Sequence, residues 1–341
     1  MDRRFDLLRV LACFMVVVVH VSGADTLSFG PNWWAGNLYD SLARACVPIF
    51  FMLSGATLLP KAEPLFVFFK KRFVKVIPPL VVWSSFYLWW LWYNGAPVGG
   101  VLDWVAAILR GPTMFHLWFF YAIVGIYLFV PAMRRLYQGS TPVEKWLVLV
   151  LWFMWVCVYP MAHTFRTGAP LEGPSNNPHS IGYFAPYLGY VLLGAVLSER
   201  TWRKTTGAII FAIGISATAI FTWARSAYIG TPVDVFYLYL SPTVTVAAVG
   251  LFMFFLGIKR GAPSRFLSSM AQYTVAIYGL HAFVIDPVAS RIGLSTVSGI
   301  GWIDIPLTSA CVFVASAVAV HAWHQCKRLA YLFRRRGAHP A

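Results

Sequence analysis

Long apolar runs alternate along this chain with short polar segments, and most of those segments are basic. Many of the runs approach the twenty or so residues that a helix needs to cross a bilayer. They predict ten spans, at about 5–24, 38–59, 74–94, 115–133, 145–162, 182–198, 206–224, 236–257, 269–289 and 303–326. Only 11% of the residues are charged, whereas a soluble domain carries about 25%. We therefore predict an all-α polytopic membrane protein with about ten transmembrane helices in one bundle.

The basic residues are distributed unevenly between the two sides of the predicted bundle. If the N-terminus is cytoplasmic, 21 Lys and Arg residues fall in inner segments and four in outer loops. Such a bias predicts that both termini face the cytoplasm. The net charge of +15 is thus explained by membrane topology, and it does not indicate a nucleic-acid partner.

No segment between the predicted spans is long enough to form a separate folded domain. We predict a single transmembrane domain over 1–341, with a basic cytoplasmic tail at 327–341, and an uncleaved first helix rather than a signal peptide. Two outer segments stand out. Residues 95–114 include an amphipathic stretch around Val101–Arg110, and residues 163–181 are rich in Pro, Gly and Asn, which is typical of irregular structure. Each is either a solvated connector or part of an entrance for a polar acceptor.

Arg9 and His20 are the most informative residues of the first span. They are separated by eleven positions, so a helix places them on one face about three turns and roughly 16 Å apart. Asp6 precedes Arg9 by three residues and is expected to pair with it. Ionisable residues within a span are costly and mark functional sites, although Arg9 alone could be a snorkelling interfacial residue. A neutral His20 could accept a proton from a hydroxyl group.

Further candidates come from later spans. Arg44 is expected near the level of His20 and within reach of Asp40, either as a rim ion pair or as a group that binds an anionic acceptor or stabilises developing negative charge. His116 and His281 are also expected in the outer half, so that three histidines could meet there, whereas His321 and His324 are expected to be structural. Trp118 beside His116 is either an aromatic-belt anchor or an acceptor-binding residue.

The predicted inner segment at 60–75 carries a dense basic set. Its members are Lys70, Lys71, Arg72 and Lys75. The set reflects either topology and attraction to anionic lipid or a site for a polyphosphate group. The following pair, Pro78-Pro79, is expected to break or begin a helix, and Pro48 and Ser54-Gly55 are expected to interrupt the second span. The five cysteines lack paired spacing, and no metal site is predicted.

These residues resemble the membrane-bound acyltransferase 3 family, which transfers O-acyl groups to bacterial cell-surface glycans. The resemblance extends from Phe5 to about Pro287. It is carried by the spacing of Arg9 and His20 in FDLLRVLACFMVVVVH, by VPIFFMLSG at 47–55, KKRFVKVIPP at 70–79 and HLWFFYAI at 116–123, and by AIYGLH at 276–281. The short form of the chain is most similar to members that acetylate enterobacterial common antigen and xanthan.

The resemblance implies roles for several residues. The Arg and His of the first span are functional in the family, and they match Arg9 and His20. The family's basic motif matches Arg72, with Lys75 where a second Arg is common. The implied donor is acetyl-CoA from the cytoplasm, and the implied acceptor is a surface glycan or lipid-linked sugar on the outer side of a bacterial inner membrane.

The resulting hypothesis is O-acyl transfer, with acetyl as the expected acyl group and with His20 as general base or as the carrier of an acyl-histidine intermediate. Acetyl-CoA would contact Lys70, Lys71, Arg72 and Lys75, with Arg134 or Arg135 as further candidates and Arg9 positioning the donor. Arg44, His116, Trp118 and His281 would face the acceptor. The alternative is a non-enzymatic transporter or translocase of a lipid-linked glycan, in which intramembrane Arg and His bind a polar substrate.

Overall fold

A computed structural model describes residues 2–167, 177–289, 293 and 298–337, with side chains described to 286 in the second long range and to 328 in the last. Fourteen helices lie within these residues: α1 Arg3–Ser22, α2 Trp33–Ala43, α3 Cys46–Leu58, α4 Leu65–Tyr93, α5 Val101–Arg110, α6 Trp118–Gly139, α7 Pro142–Trp152, α8 Tyr159–Thr167, α9 Ile181–Phe184, α10 Leu188–Ser198, α11 Lys204–Ile229, α12 Pro242–Leu256, α13 Arg265–Phe283 and α14 Gly301–Gly337. The all-α polytopic architecture is confirmed. Parts of the predicted 163–181 segment and of the 327–341 tail lie outside the described residues.

Eight helical segments of the described chain are long and apolar enough to cross a membrane. They are Arg3–Thr26, Trp33–Leu58, Phe115–Gly139, Pro142–Thr167, Ile181–Ser198, Lys204–Ile229, Val235–Leu256 and Gly301–Arg328. The predicted spans at 74–94 and 269–289 correspond to α4 and α13, which are long helices outside this group of eight. The Trp, Tyr and Ser side chains of α4 and the Ser, Gln and Tyr side chains of α13 make these helices less apolar.

Helix α1 occupies the centre of the bundle. It packs against α2, α3, α12, α13 and α14, and most of its residues from Ala12 to Val19 are buried. Its N-cap is Asp2, whose side chain accepts a hydrogen bond from the amide of Arg4, as a good N-cap does. This central helix carries both Arg9 and His20, and each of them is partly buried.

Close helix contacts are made where glycines face neighbouring backbones. A Cβ on Gly55 of α3 would lie 1.7 Å from the carbonyl oxygen of Val191 in α10, and one on Gly194 would lie 2.1 Å from the carbonyl oxygen of Met52. Small residues at helix crossings are the usual basis of tight packing in membranes. Gly55 therefore permits the approach of α3 to α10.

Two proline predictions require correction. Pro78 and Pro79 lie inside the continuous helix α4, and the expected break does not occur. Proline removes one backbone hydrogen bond but is tolerated in membrane helices whose neighbours satisfy the released groups. In the predicted second span, the interruption falls at Arg44-Ala45, between α2 and α3, and not at Ser54-Gly55. Pro48 lies in the first turn of α3, where its missing N–H costs little.

Two stretches of π-helix interrupt the regular helices. One is Phe153–Val158, between α7 and α8, and the other is Val284–Ala289, directly after α13. Such wide turns are rare and often occur beside functional sites. The second begins three residues after His281.

Candidate functional site

Three histidines from separate parts of the chain meet in the bundle. His20 comes from the last turn of α1, His281 from the last turn of α13, and His116 from the short turn before α6. The ring centroids of His20 and His281 are 5.1 Å apart, those of His116 and His281 are 5.1 Å apart, and those of His20 and His116 are 6.4 Å apart. The predicted gathering of the three rings is confirmed.

The hydrogen bonds of these rings leave proton-accepting nitrogens available. Nδ1 of His281 donates to the carbonyl oxygen of Tyr278 at 2.6 Å, so its Nε2 carries the lone pair. That Nε2 is buried and without a partner among the described residues, and the two ring nitrogens of His116 form no well-aligned hydrogen bond there, although the Gly279 backbone interacts with this ring. His20 as a whole residue is partly buried. Buried nitrogens without partners are uncommon, which makes these rings candidates for binding a polar ligand.

Two tyrosines that were not predicted from the sequence hold the histidines in place. Tyr87 of α4 packs against His116 with ring centroids 5.0 Å apart. Its hydroxyl donates to the carbonyl oxygen of Gly279 at 2.8 Å and accepts the amide N–H of Phe283 at 3.1 Å. The hydroxyl of Tyr278 donates to the backbone carbonyl of His116. Thus α4, α13 and the turn before α6 are tied together around the rings.

Arg44 lies on another side of this cluster, at the break between α2 and α3. Its guanidinium forms a bidentate ion pair with Asp40, with Nη2 2.7 Å from Oδ2 and Nε 3.0 Å from both carboxylate oxygens. The predicted pairing of Arg44 with Asp40 is confirmed, and Asp40 is fully buried. Arg44 is close enough to His20 to interact with it electrostatically.

Aromatic rings bracket this ion pair. The guanidinium carbon of Arg44 lies 5.0 Å from the ring centroid of Tyr237 and 5.7 Å from that of Tyr239. Trp118 stacks on Tyr239 at 5.8 Å with the planes inclined by 22°. The structure therefore connects Trp118 to Arg44 through Tyr239, while His20, His116 and His281 touch one another directly.

Arg9 occupies the other half of α1. It pairs with Asp6 at 3.0 Å, as the sequence predicts, and its side chain is 32% exposed. Arg9 and Arg72 both lie near the partly buried side chain of Tyr127 in α6. The start of α1 and the basic part of α4 therefore face a common region.

The four basic residues at the start of α4 differ in their exposure. Arg72 faces inward with its side chain 15% exposed, and its Nε is buried without a hydrogen-bond partner among the described residues. Lys70, Lys71 and Lys75 are exposed. This division follows from the helical repeat, because Arg72 shares its face with the buried Phe68 one turn earlier.

Glu63 is the acidic member of this region and was not among the residues predicted from the sequence. Its carboxylate lies 2.6 Å from Lys71 Nζ and 3.4 Å from Arg72 Nη2. The hydrogen bond from Lys71 lowers the pKa of Glu63 below its usual value. Glu63 is the single acidic residue between Pro60 and Lys75. Its isolation among basic residues is the sequence feature that could have pointed to an ion pair here.

Arg134, a further basic candidate, has a structural role in the described arrangement. Its guanidinium donates to the carbonyl oxygens of Leu58 and Glu63 at 3.1–3.3 Å, and it lies over the ring of Phe68. Arg134 thus fixes the connection between α3 and α4. A cavity of about 370 Å³ opens at the same end of the bundle, with Arg4 and Arg260 in its wall.

Residues 2–323 match the family model described as an acyltransferase domain, that of the acyltransferase 3 family. The chain belongs to the acyltransferase 3 family. No curated protein and no solved structure shows a significant match to it. Membership in this family, together with the helical architecture, makes the chain a multi-pass membrane acyltransferase. Within the described residues of this acyltransferase, no group of three His, Cys, Asp or Glu side chains is arranged to hold a metal ion.

Proposed function

We propose that this acyltransferase moves an acetyl group from acetyl-CoA, on the cytoplasmic side of a bacterial inner membrane, to a hydroxyl of a cell-surface or lipid-linked glycan on the other side. The observation that carries the proposal is the placement of two polar sites on one central helix. Arg9 faces the region of Arg72 near one end of α1, and His20 joins His116 and His281 near the other end. Roughly 16 Å of helix separates the two positions.

The donor end provides groups that suit an anionic cosubstrate. Arg72 has a buried Nε without a hydrogen-bond partner among the described residues, and Lys70, Lys71 and Lys75 are exposed beside it. Arginine offers paired N–H donors to phosphate oxygens, whereas lysine offers a point charge. We assign the CoA phosphates to this set, with Arg9 guiding the pantetheine arm toward the histidines.

The histidine end provides groups for acyl transfer. An acceptor hydroxyl oxygen attacks the thioester carbonyl carbon while His20 takes the hydroxyl proton. The tetrahedral intermediate then collapses, the C–S bond breaks, and His20 returns the proton to the departing CoA thiolate. Arg44 lies near enough to stabilise negative charge on the carbonyl oxygen. An acyl-histidine route would reach the same products in two steps.

The remaining histidines and Trp118 are assigned to the acceptor. His116 and His281 present buried nitrogens that can accept hydrogen bonds from sugar hydroxyls. Trp118 offers an aromatic face beside Tyr239. A polar acceptor with several hydroxyls would satisfy these groups, which a purely apolar substrate would leave unpaired.

The test is release of CoA thiol from acetyl-CoA by purified protein in vesicles, with and without a surface-glycan extract. We expect release that requires the extract in the wild type and is lost in His20→Ala and His20→Gln. His324→Ala is the matched control, because His324 stacks on Tyr273 at a distance from this site. Release that persists in both His20 variants would remove His20 from the reaction, and transport of a glycan without thiol release would contradict acyl transfer.

A further inference from the structure

An apolar cavity of about 540 Å³ lies between α8, α11 and the start of α12. Its walls include Met161, Phe165, Phe221 and Phe236. Of the described residues that line it, only Arg225 is charged. We call this feature the Arg225 groove.

Arg225 is held in the groove by aromatic rings. Its guanidinium carbon lies 5.1 Å from the ring centroid of Phe165 and 5.5 Å from that of Tyr228. No described carboxylate lies within 4 Å of it, since the ion pairs of the described chain are made by other residues. Stacking on rings orients a guanidinium without neutralising its charge.

The position of Arg225 in the predicted topology points to a local role. It lies one turn before the end of α11, on the predicted outer side, where basic residues are few. The positive-inside bias therefore does not explain its presence. Because it lies near the end of a long apolar helix, its charge is expected at the depth of lipid headgroups.

We propose that the Arg225 groove binds an anionic phospholipid, with one acyl chain along the apolar wall and the headgroup phosphate on Arg225. Any lipid-facing wall is apolar, so apolarity alone would indicate only general solvation by lipid. The Arg225 groove offers more than apolarity. Its concave apolar wall complements an acyl chain, and Arg225, which has no described carboxylate as a partner, complements the negative headgroup. Phosphate accepts paired hydrogen bonds from a guanidinium, which fixes the headgroup.

The groove shares a wall with the candidate active site. Phe236 lines the groove, and the next residue, Tyr237, covers the Arg44–Asp40 pair. Both belong to the single turn Val235–Tyr237. A bound acyl chain would therefore support the turn that brackets Arg44. The binding claim itself does not depend on the reaction that the protein catalyses.

Native mass spectrometry of the full chain, released from detergent with added phosphatidylglycerol or phosphatidylcholine, tests the proposal. We expect the wild type to retain phosphatidylglycerol in preference to phosphatidylcholine. In Arg225→Gln the ratio of the two retained lipids should fall about tenfold, which corresponds to the loss of one good charged contact. Arg166→Gln is the matched control, since Arg166 is exposed on α8 and does not line the groove.

A second variant covers the case in which Arg225→Gln folds poorly. Arg225→Lys keeps the charge but loses the paired donors, so an intermediate preference is expected. Equal retention of the two lipids by the wild type would overturn the proposal, and so would an unchanged preference in a folded Arg225→Gln protein. A loss of preference in Arg166→Gln as large as that in Arg225→Gln would also overturn it.

Discussion

His20 and His281 stack on each other, with ring centroids 5.1 Å apart and planes inclined by 27°. Because Nδ1 of His281 is committed to the Tyr278 carbonyl, rotation of its ring would break a hydrogen bond. His20, in contrast, makes no hydrogen bond with the described residues, so its orientation depends on packing against its neighbours. His281 therefore acts as the support that fixes the ring proposed to accept the proton.

Replacement of His281 by Gln is expected to lower kcat about a hundredfold, because small errors in the position of a reacting group are costly. The KM for acetyl-CoA should remain unchanged, since the proposed donor contacts are at the other end of α1. Steady-state measurement of thiol release gives both constants. His321→Gln serves as the control, because that ring bonds to Tyr273; a rise in donor KM with constant kcat would contradict the role assigned to His281.

Gly55→Ala is expected to destabilise the protein. The new methyl group would collide with the Val191 backbone, and overpacking typically costs about 1–3 kcal/mol. Thermal unfolding in detergent measures the effect. Gly139→Ala is the matched control, since a Cβ there meets nothing within 4 Å and should leave stability equal or slightly higher. Equal melting temperatures for the two variants would show that α3 and α10 do not pack as described.

The sequence predicts the general architecture because long apolar runs and basic segments respond to bilayer thickness and topology. It also predicts the meeting of His20, His116 and His281, since each lies at a similar depth in its own span. The continuity of α4 through Pro78 and Pro79 was not predictable, because it depends on how neighbouring helices satisfy the released backbone groups.

The supporting residues of the site were harder to predict than the polar ones. Tyr87 is one aromatic residue among many in α4, and only its two hydrogen bonds to α13 distinguish it. Likewise, Arg72 lies on a different face of α4 from Lys70 and Lys75. Whether that face is turned toward the protein interior depends on which helices pack against α4. Such relationships arise from tertiary contacts between distant segments.

Asp40→Asn alone is expected to destabilise the protein more than Asp40→Asn combined with Arg44→Gln does. Asp40 is fully buried, and loss of one partner of a buried ion pair typically costs about 3–5 kcal/mol because the other charge is left uncompensated. The double variant Asp40→Asn with Arg44→Gln removes both charges and should recover part of that loss. Thermal unfolding of the two single variants and the double variant measures the coupling; strictly additive losses would argue against the pair.

Glu63→Gln is expected to strengthen binding of CoA. Hydrogen bonding from Lys71 lowers the pKa of Glu63, so the carboxylate is charged at neutral pH and competes with phosphate for Lys71 and Arg72. Protonation would remove this competition only as the pH falls below the usual range for a glutamate, so the effect of Glu63 should be constant between pH 6 and 8. Calorimetric titration with CoA measures the affinity.

Glu144→Gln is the control for that experiment. The carboxylate of Glu144 accepts hydrogen bonds from the backbone N–H and the hydroxyl of Thr141 at the start of α7, and among the described residues it forms no ion pair with a basic side chain. The affinity of the Glu144→Gln protein for CoA should match that of the wild type. Weaker binding of CoA by Glu63→Gln would indicate that Glu63 orients Lys71 and Arg72 for the ligand rather than occupying their site.

Arg9 and His20 should give opposite kinetic signatures, although they share one helix. Arg9→Gln removes a charge from the region of Arg72, so the KM for acetyl-CoA should rise while transfer from bound donor continues. His20→Gln removes the proposed proton acceptor, so kcat should fall by about 10²–10⁴-fold while acetyl-CoA still binds. Donor titration by calorimetry together with single-turnover thiol release separates the two effects. A His20→Gln protein that no longer binds acetyl-CoA, or an Arg9→Gln protein that loses turnover with donor affinity intact, would require the two ends of α1 to exchange roles.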